Sequence, residues 1–177
     1  MKKLSIIFII FFLNAFGISI VHGKKVYQLP EEFITQAFNG NAPQTSSLFL
    51  DDEINKNIND ILGRDLNKIR VRYWANEQKS VWILEEIGKY EFITTGFVVE
   101  KSKISKMKVL IFRETRGWEV KYDFFSDQFK GIAHTKNFQL NKNITNISGA
   151  TLSVNAVKKI ASLALYLDSY IRENPDN

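Results

Sequence analysis

The 177-residue sequence is 45% hydrophobic and 24% charged, the balance of a folded chain with room for one full-sized domain rather than two. It has no cysteine, which excludes disulfides, thiolate metal sites, a thiol nucleophile and a lipid-modified cysteine anchor, so packing must supply the stability. The formal charge is +5, and setting Lys2 and Lys3 aside leaves 22 of the 24 basic residues against 19 acidic ones; neither that balance nor any motif points to nucleic acid.

In chain order, Met1-Lys2-Lys3 precedes LSIIFIIFFLNAFGISIV, an apolar run. A basic start, an apolar stretch and the small residues Val21 and Gly23 form a secretory signal pattern, with cleavage expected after Gly23 and a second cut available at Ala15 and Gly17. The alternative is an uncleaved anchor over residues 4–20, a short span interrupted by Asn14 and Gly17. Either reading places residues 24–177 outside the cytoplasm, in the periplasm.

Pro30, Glu31 and Glu32, followed by Phe33, Ile34, Ala37 and Phe38, put proline at the first helical position, acids in the first turn and apolar residues at helical spacing. A short helix ending near Asn39-Gly40 is predicted. After a polar loop, Asn41 to Ser47, Asp51 or Asp52 caps a second helix with the apolar stripe Ile54, Ile58, Ile61 and Leu62 and a stop at Gly63. From Ile69 the period changes. IRVRYWA, SVWILEEI, YEFITTGFVVE, MKVLIFRE and GWEVKYDFF read as strands joined by short turns, hence antiparallel. Trp74 and Trp82 read as sheet core or helix–sheet contacts. Lys101, Lys103, Lys106 and Lys108 read as a solvated strand or hairpin edge. Val154, Val157, Ile160, Ala161, Ala164, Leu165 and Leu167 then recur at helical spacing to about Ile171. The expected fold class is α+β: an antiparallel sheet of about five strands with helices at the N-terminal side and a long C-terminal helix, in one domain over residues 24–177.

The last helix begins just after Ser148-Gly149-Ala150-Thr151. A helix start offers unpaired N–H groups and partial positive charge to an anion such as phosphate. Gly149 allows close approach or a left-handed turn, Ala150 adds no bulk, and the hydroxyls of Ser148, Thr151 and Ser153 can donate. Ser and Thr are equally the ordinary helix caps.

Ser148-Gly149-Ala150-Thr151, continued by Leu152-Ser153, resembles the flavinylation motif of the FMN-binding domain family, which includes flavin-carrying subunits of bacterial ion-pumping redox complexes. Arg113-Glu114-Thr115-Arg116-Gly117, followed by Phe125-Ser126-Asp127-Gln128-Phe129-Lys130-Gly131, is similar to the family's Glu-Thr-x-Gly segment and the Phe/Gly element after it. The resemblance runs from about Thr95 to Val157, and residues Tyr27 to Trp82 look like the first half of small exported members. Two departures stand out: the family often has an aspartate where this chain has Thr145, and Ser153 is followed by Val154 where a serine is common.

The resemblance implies that Thr151 carries FMN through a phosphoester, formed by a Mg-dependent flavin transferase with FAD as donor. Ser148, Gly149, Ala150, Leu152 and Ser153 would line the phosphate end, and Glu114, Thr115, Arg116 and Gly117 would belong to the flavin pocket. Arg116 is compatible with pairing to the phosphate, pairing to the pyrimidine edge, or a free place on an exposed turn. Trp118 reads either as cover for one ring face or as a core strand residue. His134 reads as surface, His22 falls in the leader, and no metal or hydrolase constellation is present. The implied function is an exported electron carrier working between a membrane redox protein and an acceptor or terminal reductase. The alternative is an extracytoplasmic binding or assembly module without flavin.

Overall fold

Alternating β-branched and aromatic residues joined by tight turns leave neighbouring strands little choice but to pair antiparallel. The computed structural model describes residues 24–175, so the leader or anchor reading of residues 1–23 lies outside the described residues. Its sheet comprises β1 (Lys25–Val26), β2 (Ser46–Phe49), β3 (Arg70–Ala75), β4 (Lys79–Ile87), β5 (Phe92–Glu100) and β6 (Lys103–Phe112). The six strands lie in the order β1-β6-β5-β4-β3-β2, every neighbouring pair antiparallel. The frame is the β4–β5–β6 meander, in register from Lys79↔Glu100 to Ile87↔Phe92 on one side and paired from Ile93↔Phe112 to Glu100↔Lys103 on the other, with register shifts between Thr94 and Thr95 and between Val98 and Val99. Lys103, Lys106 and Lys108 lie on β6, whose outer side pairs with the two-residue β1 and, at Ile104, exchanges backbone hydrogen bonds with Gly131 and Ile132.

The sheet differs from the sequence expectation in two places. Two short strands, β1 and β2, join its edges and one expected strand is lost, so the count goes from about five to six. GWEVKYDFF is not a strand: Trp118–Lys121 is a 3-10 turn, α3 spans Asp123–Ser126, and a second 3-10 turn covers Asp127–Phe129. Gly117 enters this segment at φ +81, outside strand geometry. Val120, Phe125 and Phe129 are its buried anchors, and the last two pack edge to face at 5.3 Å.

The helices cover the sheet unequally. α1 (Pro30–Ala37) lays Phe33, Ile34 and neighbouring Phe38 on one face, against Val81, Val98, Leu110 and Ile111. α2 (Asp52–Leu62) is capped by Asp51, whose Oδ1 accepts from Ile54 N at 2.8 Å, and stops at left-handed Gly63. It shares the opposite face with α4 (Thr151–Glu173), whose 23 residues extend about 35 Å. Val154, Val157, Ile160, Ala161, Ala164, Leu165 and Leu167 are buried there with Trp82, Phe97 and Phe112, each large side chain stabilising the fold by about 1.5–3 kcal/mol. Trp82 is core, stacked on Tyr73 at 5.0 Å; Trp74 packs half-buried on the α1 side. A buried polar chain also ties α4 to β4. Trp82 Nε1 donates to Ser80 Oγ at 2.7 Å, Ser80 donates to Asp168 Oδ1 at 2.6 Å, and Arg172 Nε donates to the same oxygen at 2.9 Å.

Candidate functional site

Where β6 ends, the chain passes through Arg113 to Gly117 and arrives beside the N-terminus of α4. The contact is close: a Cβ on Gly117 would lie 2.5 Å from Ser153 Oγ and 3.4 Å from Ala150 Cα. The Glu-Thr-x-Gly segment and the Ser-Gly-Ala-Thr segment are thus packed on each other through Gly117, which has no side chain. Ser153, expected as a phosphate donor, is buried in this contact.

Glu114 adds a third segment. Its carboxylate is buried, and Oε1 accepts from the backbone N–H groups of Lys89, of Tyr90 at 2.6 Å and of Glu91 at 2.9 Å. Three amides on one oxygen balance a buried negative charge and pin the β4–β5 turn to the loop after β6. The turn then stands across from α4, and the three segments enclose an open cleft of about 580 Å³ lined by Lys89, Tyr90, Glu114, Thr115, Arg116 and residues 149–153.

Thr151 is the first residue of α4 and is exposed. Its Oγ1 accepts from Asn146 Nδ2 at 2.9 Å, and Asn146 Oδ1 accepts from Ile147 N at 2.9 Å, which fixes the amide orientation. The Thr151 hydroxyl is thereby held while its own proton points elsewhere. No side chain caps α4, so its first-turn N–H groups remain available to an external acceptor. Gly149 sits at φ +81 with open space where a Cβ would be; the turn into the helix therefore uses a conformation that disfavours other residues and keeps the approach to Thr151 clear. Ser148, Gly149 and Leu152 are exposed, and Ala150 is buried.

The cleft is electropositive. The Glu114 carboxylate is committed to backbone donors, whereas Lys89 and Arg116 enter none of the ion pairs among the described residues. Thr115 and Arg116 are exposed at the rim. Lys89 Nζ lies 4.7 Å from the centroid of Tyr90, a ring that is 72% exposed. An uncapped helix start, two free cations and an exposed aromatic suit a phosphorylated, aromatic ligand. A second cleft, of about 530 Å³ between α1 and β3, contains Lys68, Arg70, Arg72 and Trp74 but no motif residue.

Sequence reasoning missed Lys89, Tyr90 and Asn146. Trp118 lies outside the cleft, half-buried on its 3-10 turn. His134, read as surface, is half-buried beside Phe138, with Nε2 3.4 Å from Ser169 Oγ.

Residues 88–166 match the family model for the FMN-binding domain. This segment is similar to FMN-binding domains. The match starts at Gly88 and ends at Tyr166, so it contains all three segments of the cleft, including the turn that the motifs alone did not reach. The matched segment takes β5, β6 and most of α4, while α1, α2 and β1–β4 precede it. Neither the curated proteins nor the solved structures gave a match.

Proposed function

We propose that the protein is an exported electron carrier that holds FMN covalently through a phosphoester on Thr151. The observation that carries this reading is the Thr151 hydroxyl: exposed, held by Asn146 and placed at an uncapped helix start inside the cleft of a segment similar to FMN-binding domains. In the attachment step, Thr151 Oγ1 forms a bond to the phosphorus of the FMN half of FAD. The pyrophosphate P–O bond breaks, AMP leaves, and the hydroxyl proton passes to solvent or to a base on the transferase. The donor and the Mg-dependent transferase come from outside the chain. The α4 amides then face the phosphate, which remains an anion after esterification. Lys89 and Arg116 balance its charge, and Tyr90 and Leu152 offer apolar surface to the ring.

Once bound, the flavin supplies the redox chemistry and the chain supplies position and charge. A covalent tether suits a compartment without a flavin supply, because retention no longer depends on burying the ring. The open cleft, with Tyr90 and Leu152 exposed at its mouth, agrees with an exposed redox edge facing a membrane redox protein on one side and an acceptor on the other. Co-expression with an active flavin transferase tests the reading: flavin fluorescence should travel with the denatured chain on a gel. A dark band, with the transferase active on another substrate, would leave the flavin-free module as the better account.

A further inference from the structure

A cluster of half-buried and exposed aromatics follows Gly117 in the chain. Trp118 and Tyr122 pack at 5.8 Å, and Tyr122 stacks on Phe124 at 6.0 Å. Lys121 Nζ lies 4.9, 5.1 and 5.0 Å from the ring centroids of Tyr27, Trp118 and Tyr122, which joins the turn to the segment following β1. Tyr122 is 43% and Phe124 59% exposed, and Val26 and Leu29, flanking Tyr27, are 46% and 49% exposed. Exposed rings packed on one another, as Tyr122 and Phe124 are, mark an interaction site rather than a scatter of single residues.

Its chemistry and its place in the chain point to one occupant. Amphipathic rings mixed with lysines are the side chains that settle at a lipid–water boundary, the rings at headgroup depth and the ammonium groups among phosphates. Lys24 and Lys25 are exposed at the start of β1 and add to Lys121; Asp123 and Asp127 are the exposed acids of the segment, and Glu119 is half-buried. In sequence, the apolar run of residues 4–21 ends just before Lys24, and an extended chain from Val21 to Lys25 reaches at most about 14 Å. A bilayer holding that run would therefore lie against β1, where Tyr27 enters the cluster.

We propose that the surface formed by Trp118, Lys121, Tyr122 and Phe124 rests on a phospholipid bilayer. It rests on the anchor reading of the N-terminal run and not on flavin attachment. Gly117, packed on Ser153 of the cleft, directly precedes Trp118, so the surface and the cleft are neighbours along the chain.

The full chain in nanodiscs of phosphatidylcholine and phosphatidylglycerol, with plain or brominated acyl chains, tests this. The protein has three tryptophans, so the difference between wild type and Trp118→Phe isolates Trp118. Brominated lipid should quench the wild-type emission, and Trp118→Phe should lose most of that quenching. A Tyr122→Ser, Phe124→Ser double variant should lose it while keeping the thermal midpoint, since both rings are exposed. Equal brightness in both lipids, in a chain that co-elutes with the discs, would overturn the seat while leaving the anchor standing. Failure to co-elute would overturn both. Trp118 shielded from aqueous iodide only after a protein partner is added would make this a protein-docking surface and refute the lipid assignment. None of these readouts depends on flavin loading.

Discussion

Replacing Gly117 with alanine should weaken the fold at the joint between the two motif segments. The backbone there stands at φ +81, and the new Cβ would meet Ser153 Oγ at 2.5 Å, Ser153 Cβ at 3.3 Å and Ala150 Cα at 3.4 Å. A left-handed conformation costs a non-glycine residue about 1–2 kcal/mol, and one extra methyl in a packed site about 1–3 kcal/mol. Together the loss is about 2–5 kcal/mol, a fall in Tm of about 5–15 °C for a domain of this size. The two causes separate in a double-mutant cycle. Ser153→Ala removes the nearest atom but leaves the backbone strain, so the pair should recover about 1–2 kcal/mol of the loss. Urea and thermal unfolding of wild type, both single variants and the double variant, followed by circular dichroism, would measure this. Gly117→Ala within about 0.5 kcal/mol of wild type, or strictly additive variants, would refute the packing of Gly117 on α4.

Other consequences follow from neighbouring contacts. Glu114→Ala removes the acceptor of three backbone N–H groups and should cost about 2–3 kcal/mol in urea unfolding, with Glu114→Gln recovering part of it. Asn146→Ala frees the Thr151 hydroxyl and should slow flavin attachment severalfold in a timed transferase assay, while an unfolding midpoint near that of wild type separates this from misfolding. Burial raises the Asp168 carboxyl above its ordinary value of 3.8, against the lowering effects of the Ser80 hydrogen bond and of Arg172. A raised folded value means that the contribution of this group to stability is complete below the unfolded value and is lost as pH rises through the folded one. Wild type should therefore lose stability relative to Asp168→Asn as pH climbs above about 4; parallel stability profiles for the two proteins would refute the shift.

The parts of the fold legible in the sequence were those whose signal is local. The β3–β6 meander announced itself through β-branched runs and tight turns, and α2 through its Asp51 cap, its isoleucine stripe and Gly63. β2 was not legible because SSLF buries only Leu48 and becomes a strand by pairing with β3. In GWEVKYDFF an alternation of Trp118, Val120 and Tyr122 imitated a strand, although only Val120 among them is buried. The better signal was the four-residue spacing of Phe125 and Phe129, which puts both on one side of a helical segment. In the cleft, both motif segments were visible as residues, but their contact through Gly117 and Ser153 is tertiary. Lys89 reads as part of a hairpin turn and Tyr90 as the start of a strand, since what carries them to the cleft is the carboxylate of Glu114, more than twenty positions away.

The central claim is the phosphoester on Thr151, and the intact mass of the chain tests it most directly. The protein and its Thr151→Ala variant would be exported from cells that also express an active flavin transferase. The account predicts a gain equal to FMN less one water in the wild type and no gain in the variant. The same gain in Thr151→Ala would place the attachment elsewhere, and no gain in either, with the transferase labelling a known substrate in the same cells, would contradict covalent flavin altogether.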